Sequence, residues 1–206
     1  MSDKKLLDEL LSSIRMHSHF DESTAHIEIH GNKVLRSSLV EGLEIDVEEK
    51  EEGIAARMVL KAGTVLENPV YLCFGMIPEN GIQKIDMDIL VEKGAKGQFL
   101  AHCTFPNARD IQHIMNAEIR VEEGGSYKYF ERHVHGEHGG IQVIPKAKIY
   151  LAEGATFSTE FELLKGRVGY MDIDYETECA AYSVMEMRAR ISATHDDVIK
   201  IREAGK

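Results

Sequence analysis

Cys103 and His133 stand 30 residues apart, and each lies nine residues after a glycine, Gly94 and Gly124. A thiol and an imidazole held in one column can bind a soft metal, pass sulfur, or fill an interior ladder. Cys73 lies 30 residues before Cys103 but ten after Gly63, so it joins the column only if a bulge absorbs one residue. The next place in the column falls to Glu162 or Leu163. A second constellation is His133-Val134-His135-Gly136-Glu137-His138. Strand alternation puts His133 and His135 on one face, a common route to zinc, nickel or iron ligation, and His138 follows a turn. The same run also reads as a polar, exposed loop at a strand end, in a chain with ten histidines.

The elements that must position these residues recur at a fixed beat. Val91-Glu92-Lys93-Gly94-Ala95 returns as Val121-Glu122-Glu123-Gly124-Gly125 and as Leu151-Ala152-Glu153-Gly154-Ala155, with an earlier echo at Leu60-Lys61-Ala62-Gly63-Thr64. A constant period of this size marks a solenoid of stacked supersecondary units. The runs before each glycine alternate, as in Ile85-Asp86-Met87-Asp88-Ile89 and Met115-Asn116-Ala117-Glu118-Ile119. The runs after it are Gln98 to Ala101, Tyr127 to Phe130 and Thr156 to Phe161. Alternation with period two is the strand signal, and glycine suits a tight corner. No helical periodicity separates the strands. The expected fold is therefore all-β: a parallel β-helix with two strands per coil of about 30 residues.

The N-terminal segment differs. Leu6, Leu7, Leu10, Leu11 and Ile14 make a stripe at helical spacing, with Ser2 or Asp3 as cap. This predicts a helix within residues 1–20 that packs over the open end of a core spanning 21–206. Ile27, Ile29, Val34 and Leu35 flank a Gly31-Asn32 hairpin turn. The acidic stretch Glu48-Glu49-Lys50-Glu51-Glu52 reads as a solvated turn.

The formal charge of −11, with no Lys/Arg cluster, argues against nucleic acid and anionic membranes as partners. No apolar stretch approaches the length of a membrane span, and no signal peptide is legible. Three cysteines without a CxxC pair point to free thiols in a reducing compartment, hence a cytoplasmic protein. No GxxxxGK[ST] or GxSxG motif occurs, so nothing supports nucleotide binding or hydrolysis.

Val91 to Lys96, followed by Cys103-Thr104 and Pro106, resembles a stretch of the SufB/SufD family of iron–sulfur cluster assembly scaffolds. Val121 to Gly125 resembles the next family repeat, and Gly166 to Ala181 with Met187-Arg188-Ala189-Arg190 resembles the middle of the same core. The resemblance runs from about Leu60 to Lys206. It implies a right-handed parallel β-helix, a non-enzymatic scaffold role, and a transient iron–sulfur cluster as cargo. The implied partners are a SufC-type ATPase, a sister chain or second copy, a sulfur donor and apo-protein acceptors. By the same resemblance Cys103 matches a sulfur acceptor that faces the inside of the helix. His133 and His135 stand near places where SufB-type proteins carry functional Gln and Trp.

The chain departs from the family pattern at its end. Glu203-Ala204-Gly205 looks like the start of another corner, so the last coil reads as unfinished. That predicts a fragment, or a short member that completes its edge by forming a homodimer or larger oligomer through Val198 to Arg202, with the Leu stripe of the N-terminal helix as the alternative contact. Two other readings stand beside the scaffold: a small metal-dependent enzyme built on His133, His135 and His138, and a structural module with no chemistry of its own.

Overall fold

The computed structural model describes residues 2–15, 20, 21 and 23–206. After one helix, α1 (Asp3–Ser13), come the strands β1 (His26–His30), β2 (Lys33–Ser38), β3 (Leu43–Glu49), β4 (Gly53–Leu60), β5 (Val70–Gly75), β6 (Asn80–Val91), β7 (Lys96–Phe105), β8 (Asp110–Val121), β9 (Ser126–His135), β10 (Ile141–Leu151), β11 (Thr156–Lys165), β12 (Gly169–Cys179), β13 (Val184–Ile191) and β14 (Val198–Gly205). They form two seven-stranded sheets, a front sheet in the order β13-β11-β9-β7-β5-β1-β2 and a back sheet in the order β14-β12-β10-β8-β6-β4-β3. Each coil contributes one strand to each sheet, giving a parallel β-solenoid of about five turns. The N-terminal end departs from all-parallel pairing: β1–β2 and β3–β4 are antiparallel hairpins. The first turns at Gly31-Asn32, and the second at the acidic stretch.

The corner signature has a physical cause. Gly63, Gly94, Gly124 and Gly154 all hold φ between 65° and 71°, the left-handed region that costs an L side chain about 1–2 kcal/mol. The corners stack: the amides of Gly63, Gly94, Gly124 and Gly154 donate to the carbonyls of Lys93, Glu123, Glu153 and Ala181. The recurring glutamate closes the turn below it. Glu92 Oε2 accepts from the Ala62 amide at 2.8 Å, and Glu122 Oε2 accepts from the Lys93 amide at 2.9 Å. A fifth corner lies at Ala181-Tyr182, where Tyr182 adopts φ 58° without glycine's freedom.

The spacing is not constant. Ile54 pairs with Ile85, 31 residues on; Ile119 pairs with Ile149, 30 on; Ile149 pairs with Thr177, 28 on. The shortening places Glu203, Ala204 and Gly205 opposite Tyr175, Glu176 and Thr177, inside β14. They are strand residues, not the corner expected of them.

Alternate residues of both sheets point inward and form the core. Ile85, Ile89, Val91, Ile111 and Ile119 face Phe99, Tyr127 and Phe157, all buried. The rings of Phe99 and Tyr127 lie 4.9 Å apart, and those of Tyr127 and Phe157 6.0 Å. Each fully buried side chain of this size stabilises by roughly 1.5–3 kcal/mol.

Helix α1 starts where Ser2 Oγ accepts from the Lys5 amide, and it buries Leu10 and Leu11. Ser13 shares a 2.7 Å hydrogen bond with Thr104, whose neighbours Cys103 and Phe105 point inward. The helix therefore covers the outer face of the front sheet at its N-terminal end. Of the segment 1–20, residues 16–19 lie outside the described residues. At the other end, β13 and β14 leave Val184, Val198 and Ile201 exposed.

Candidate functional site

Inside the coils the front sheet carries a mixed column. Phe74, Cys103, His133 and Leu163 are register partners on β5, β7, β9 and β11. Leu163, not Glu162, continues the column. Cys73 pairs with His102 on the outer face, because the β5–β7 register runs without the bulge that would bring it under Cys103. It is buried there beside the Glu28–Arg36 ion pair, and burial pushes its thiol up to about 12. His138 sits in the exposed loop after β9, away from the column. His133 and His135 share the inner face of β9 and are 1% and 4% exposed, which overturns their reading as part of an exposed loop.

Two further side chains complete the group. Glu131, two residues before His133, points inward on the same strand and is 1% exposed. His113 reaches across from β8 in the back sheet and is fully buried. Cys103 Sγ, one carboxylate oxygen of Glu131 and one ring nitrogen each of His113 and His133 all lie within 4.8 Å of one another. This is the one such Cys/His/Glu group found among the described residues.

The hydrogen bonds form a directed chain. His135 Nδ1 lies 3.1 Å from the Arg167 carbonyl, which can only accept, so that nitrogen carries the proton. Burial holds both His135 and His133 neutral, pushing His135 well below its usual value and His133 down to about 3. His135 Nε2 is then an acceptor, and His133 Nδ1, 3.1 Å away, donates to it. His133 Nε2 is left with a bare lone pair, 2.7 Å from Glu131 Oε1. Two lone pairs at that distance need a proton or a cation between them. Burial raises the Glu131 carboxyl above the usual carboxylate range, so in the metal-free protein the acid proton fills that role. The Cys103 thiol donates to the same Oε1 at 3.4 Å, and desolvation, with Glu131 beside it, keeps it a thiol.

His113 is the anomaly. Neither ring nitrogen has a hydrogen-bond partner, and burial drives its basicity down to about 3. Its ring lies 4.8 Å from Phe105 and 5.7 Å from His133. An unpartnered buried polar group costs about 1–3 kcal/mol. A cavity of about 40 Å³, lined by Glu131, Tyr129, Thr159, Met115 and Tyr175 among others, adjoins the group, enough for one water-sized guest. A groove of about 880 Å³ lies on the outer face of the back sheet along Asp86, Asp88, Lys146 and Lys148 and does not reach these donors.

Against this geometry, the whole chain aligns with a protein of Methanocaldococcus jannaschii described as an iron–sulfur cluster assembly SufBD family protein. The two are 31% identical over 211 residues, covering 67% of that relative. The chain belongs to the SufBD family. A Pyrococcus horikoshii protein of the same description is 32% identical over 186 residues, covering 90% of the chain and 56% of the relative. No protein-family model matches the chain. The SufBD resemblance seen from Leu60 onward thus extends over the hairpins and the helix.

Glu131 and His113 were both missed in the sequence. Glu131 had a signal: it shares the parity of His133 and His135 in the run Tyr127, Tyr129, Glu131, His133, His135. His113 had a weaker one. It occupies an inward place on β8 and pairs in register with Gln83, so two polar residues stack in an otherwise apolar wall.

Proposed function

We propose that this SufBD chain is a non-enzymatic scaffold in iron–sulfur cluster assembly, and that it handles sulfur at Cys103 inside the solenoid. The observation that carries the reading is the pairing of the buried Cys103 thiol with the Glu131 carboxyl. A sulfane sulfur arriving as a donor persulfide is transferred by attack of the Cys103 sulfur on the outer sulfur. The donor leaves as a thiol, and Cys103 becomes a persulfide. Glu131 passes its acid proton to the bare Nε2 of His133 and takes the Cys103 proton, which moves on to the departing thiolate as the His133 proton returns. No net oxidation occurs, and the thiolate is the attacking species.

Cys103 is fully buried, so a protein donor reaches it only if the coil opens locally. That need supports a partner supplying mechanical work, the role of a SufC-type ATPase. The exposed edge of β13 and β14 is the surface we assign to a sister chain, since unpaired strand edges invite pairing. A metal enzyme built on His133, His135 and His138 is not supported, because His138 stands apart from the buried pair.

Anaerobic reconstitution with iron, a persulfide donor and a SufC-type ATPase tests the reading through visible absorption of the cluster. Cys103→Ser is expected to abolish assembly and Cys73→Ser to leave it intact. Equal cluster yield from Cys103→Ser and parent would refute the assignment.

A further inference from the structure

We infer that Cys103, Glu131, His113 and His133 form a four-donor site for a single thiophilic divalent metal ion, with His135 as its positioning residue. The inference deepens the cargo-handling reading of the same site: it makes the interior a place where one iron(II) substrate ion is held before any cluster exists.

Three independent features converge on it. The first is geometric. Four donors around a tetrahedral metal with bonds of 2.0–2.3 Å lie about 3.3–3.8 Å apart. The four atoms here, within 4.8 Å of one another, reach that arrangement by small side-chain rotations. The second is His113. A fully buried imidazole with both nitrogens unpartnered gains nothing from its place in the metal-free fold. It faces Cys103, Glu131 and His133 from the opposite sheet, where its lone pair completes the donor set. The third is the tautomer chain. The Arg167 carbonyl fixes His135, and His135 fixes His133, so that the unprotonated Nε2 of His133 points at Glu131. An imidazole oriented by a second hydrogen bond on its far nitrogen is the usual support of a metal-binding histidine.

Charge and softness name the ligand class. A thiolate and a carboxylate supply two negative charges in a site without solvent, which a divalent ion neutralises. Binding releases one proton from Cys103 and one from Glu131. One sulfur, two imidazoles and one carboxylate suit iron(II), zinc(II) or cobalt(II) and disfavour magnesium and calcium, which want oxygen.

Cobalt(II) titration of the metal-free full chain under anaerobic conditions is the test, read by visible and near-ultraviolet absorption. The expected result is one cobalt per chain with tetrahedral visible bands and a thiolate-to-cobalt band. Cys103→Ser loses the thiolate band. His113→Leu lowers affinity at least about 10-fold while leaving the metal-free protein at least as resistant to urea as the parent, because the imidazole has no partner to lose. His135→Phe weakens binding about 10–100-fold but keeps the thiolate band, which separates positioning from ligation. Zinc(II) displaces the cobalt, iron(II) does so only in excess, and magnesium does not. Cobalt bound without a thiolate band, or with unchanged affinity in His113→Leu, overturns the site. Cys103-dependent cluster assembly in a chain that binds no cobalt would sink this inference and leave the proposed function standing. Tight cobalt binding with no cluster assembly would do the reverse.

Discussion

His133 Nε2 and Glu131 Oε1 face each other at 2.7 Å inside the solenoid, at the end of a hydrogen-bond chain that leaves the nitrogen nothing to donate. The acid proton of Glu131 joins them. Glu131→Gln keeps a donor at this place, since the amide N–H replaces the O–H, and it gives up only the long thiol contact to that same atom. Glu131→Ala orphans the His133 lone pair and opens a cavity. In the metal-free protein Gln should cost less than about 1 kcal/mol, and Ala at least about 3 kcal/mol. Urea unfolding of the two variants measures this. Equal losses would show that the proton is not between the two residues.

The buried histidines make the metal-free protein acid-sensitive. In the unfolded chain His113, His133 and His135 protonate near pH 6.5, whereas burial holds His113 and His133 down to about 3 and His135 well below its ordinary value. Between these limits the unfolded chain binds more protons, so stability falls as pH drops below 6.5. Each histidine contributes a slope of about 1.4 kcal/mol per pH unit. Glu131 opposes them, because its raised carboxyl keeps a proton that the unfolded chain loses above about pH 4.3. Three histidines outweigh one carboxyl between pH 5 and 6.5. Removing one of them, as in His113→Leu, should flatten the slope by about 1.4 kcal/mol per unit. Unfolding free energies at pH 5.0, 5.5, 6.0 and 6.5 give both slopes, and identical slopes would mean that His113 titrates normally.

The three thiols should separate by accessibility. Cys179 is exposed at the end of β12, while Cys73 and Cys103 are buried and their thiols are held protonated. Because the thiolate reacts, native protein treated with iodoacetamide near neutral pH should take one label rapidly, at Cys179. The other two should react only on unfolding. Peptide mass mapping locates the label. Rapid labelling of Cys103 in the isolated chain would mean that the interior opens without a partner, removing the need for the ATPase.

How far the sequence discloses this molecule follows from how local each cause is. The corners are legible because each carries both a left-handed residue for its own turn and a carboxylate that closes the turn below, as Gly94 and Glu92 do within three positions. The Cys103–His133 column is legible because three adjacent coils keep a 30-residue spacing. Where the spacing shortens to 28, the fifth corner and the place of Gly205 disappear from view. Tyr182 stands where a glycine would have announced the turn. The metal-donor group is only half visible for a different reason. Cys103, Glu131 and His133 come from the strands of one sheet, whereas His113 comes from the facing sheet. Its approach depends on the width of the coil, which no repeat spacing encodes.

Tyr182 offers a direct test of the corner argument. Its φ of 58° carries the left-handed cost, and its side chain is 86% exposed, so little packing offsets that cost. Tyr182→Gly relieves about 1–2 kcal/mol of backbone strain and loses part of it to the greater freedom of glycine in the unfolded chain. The expected net gain is about 0.5–1 kcal/mol. Gly124→Ala runs the same exchange backwards. No atom lies within 4 Å of the added methyl, so its cost should stay near 1 kcal/mol. Gly166 is the contrasting position. It also has positive φ, but a Cβ there would fall 2.0 Å from the His135 carbonyl, next to the β9–β11 register shift. Gly166→Ala must move the backbone of His135, so it should cost several times as much as Gly124→Ala. It should also weaken cobalt binding through His133. Thermal unfolding of the three variants, with cobalt titration of the third, checks the set. Similar costs at Gly124 and Gly166 would contradict the close approach that holds His135 in place.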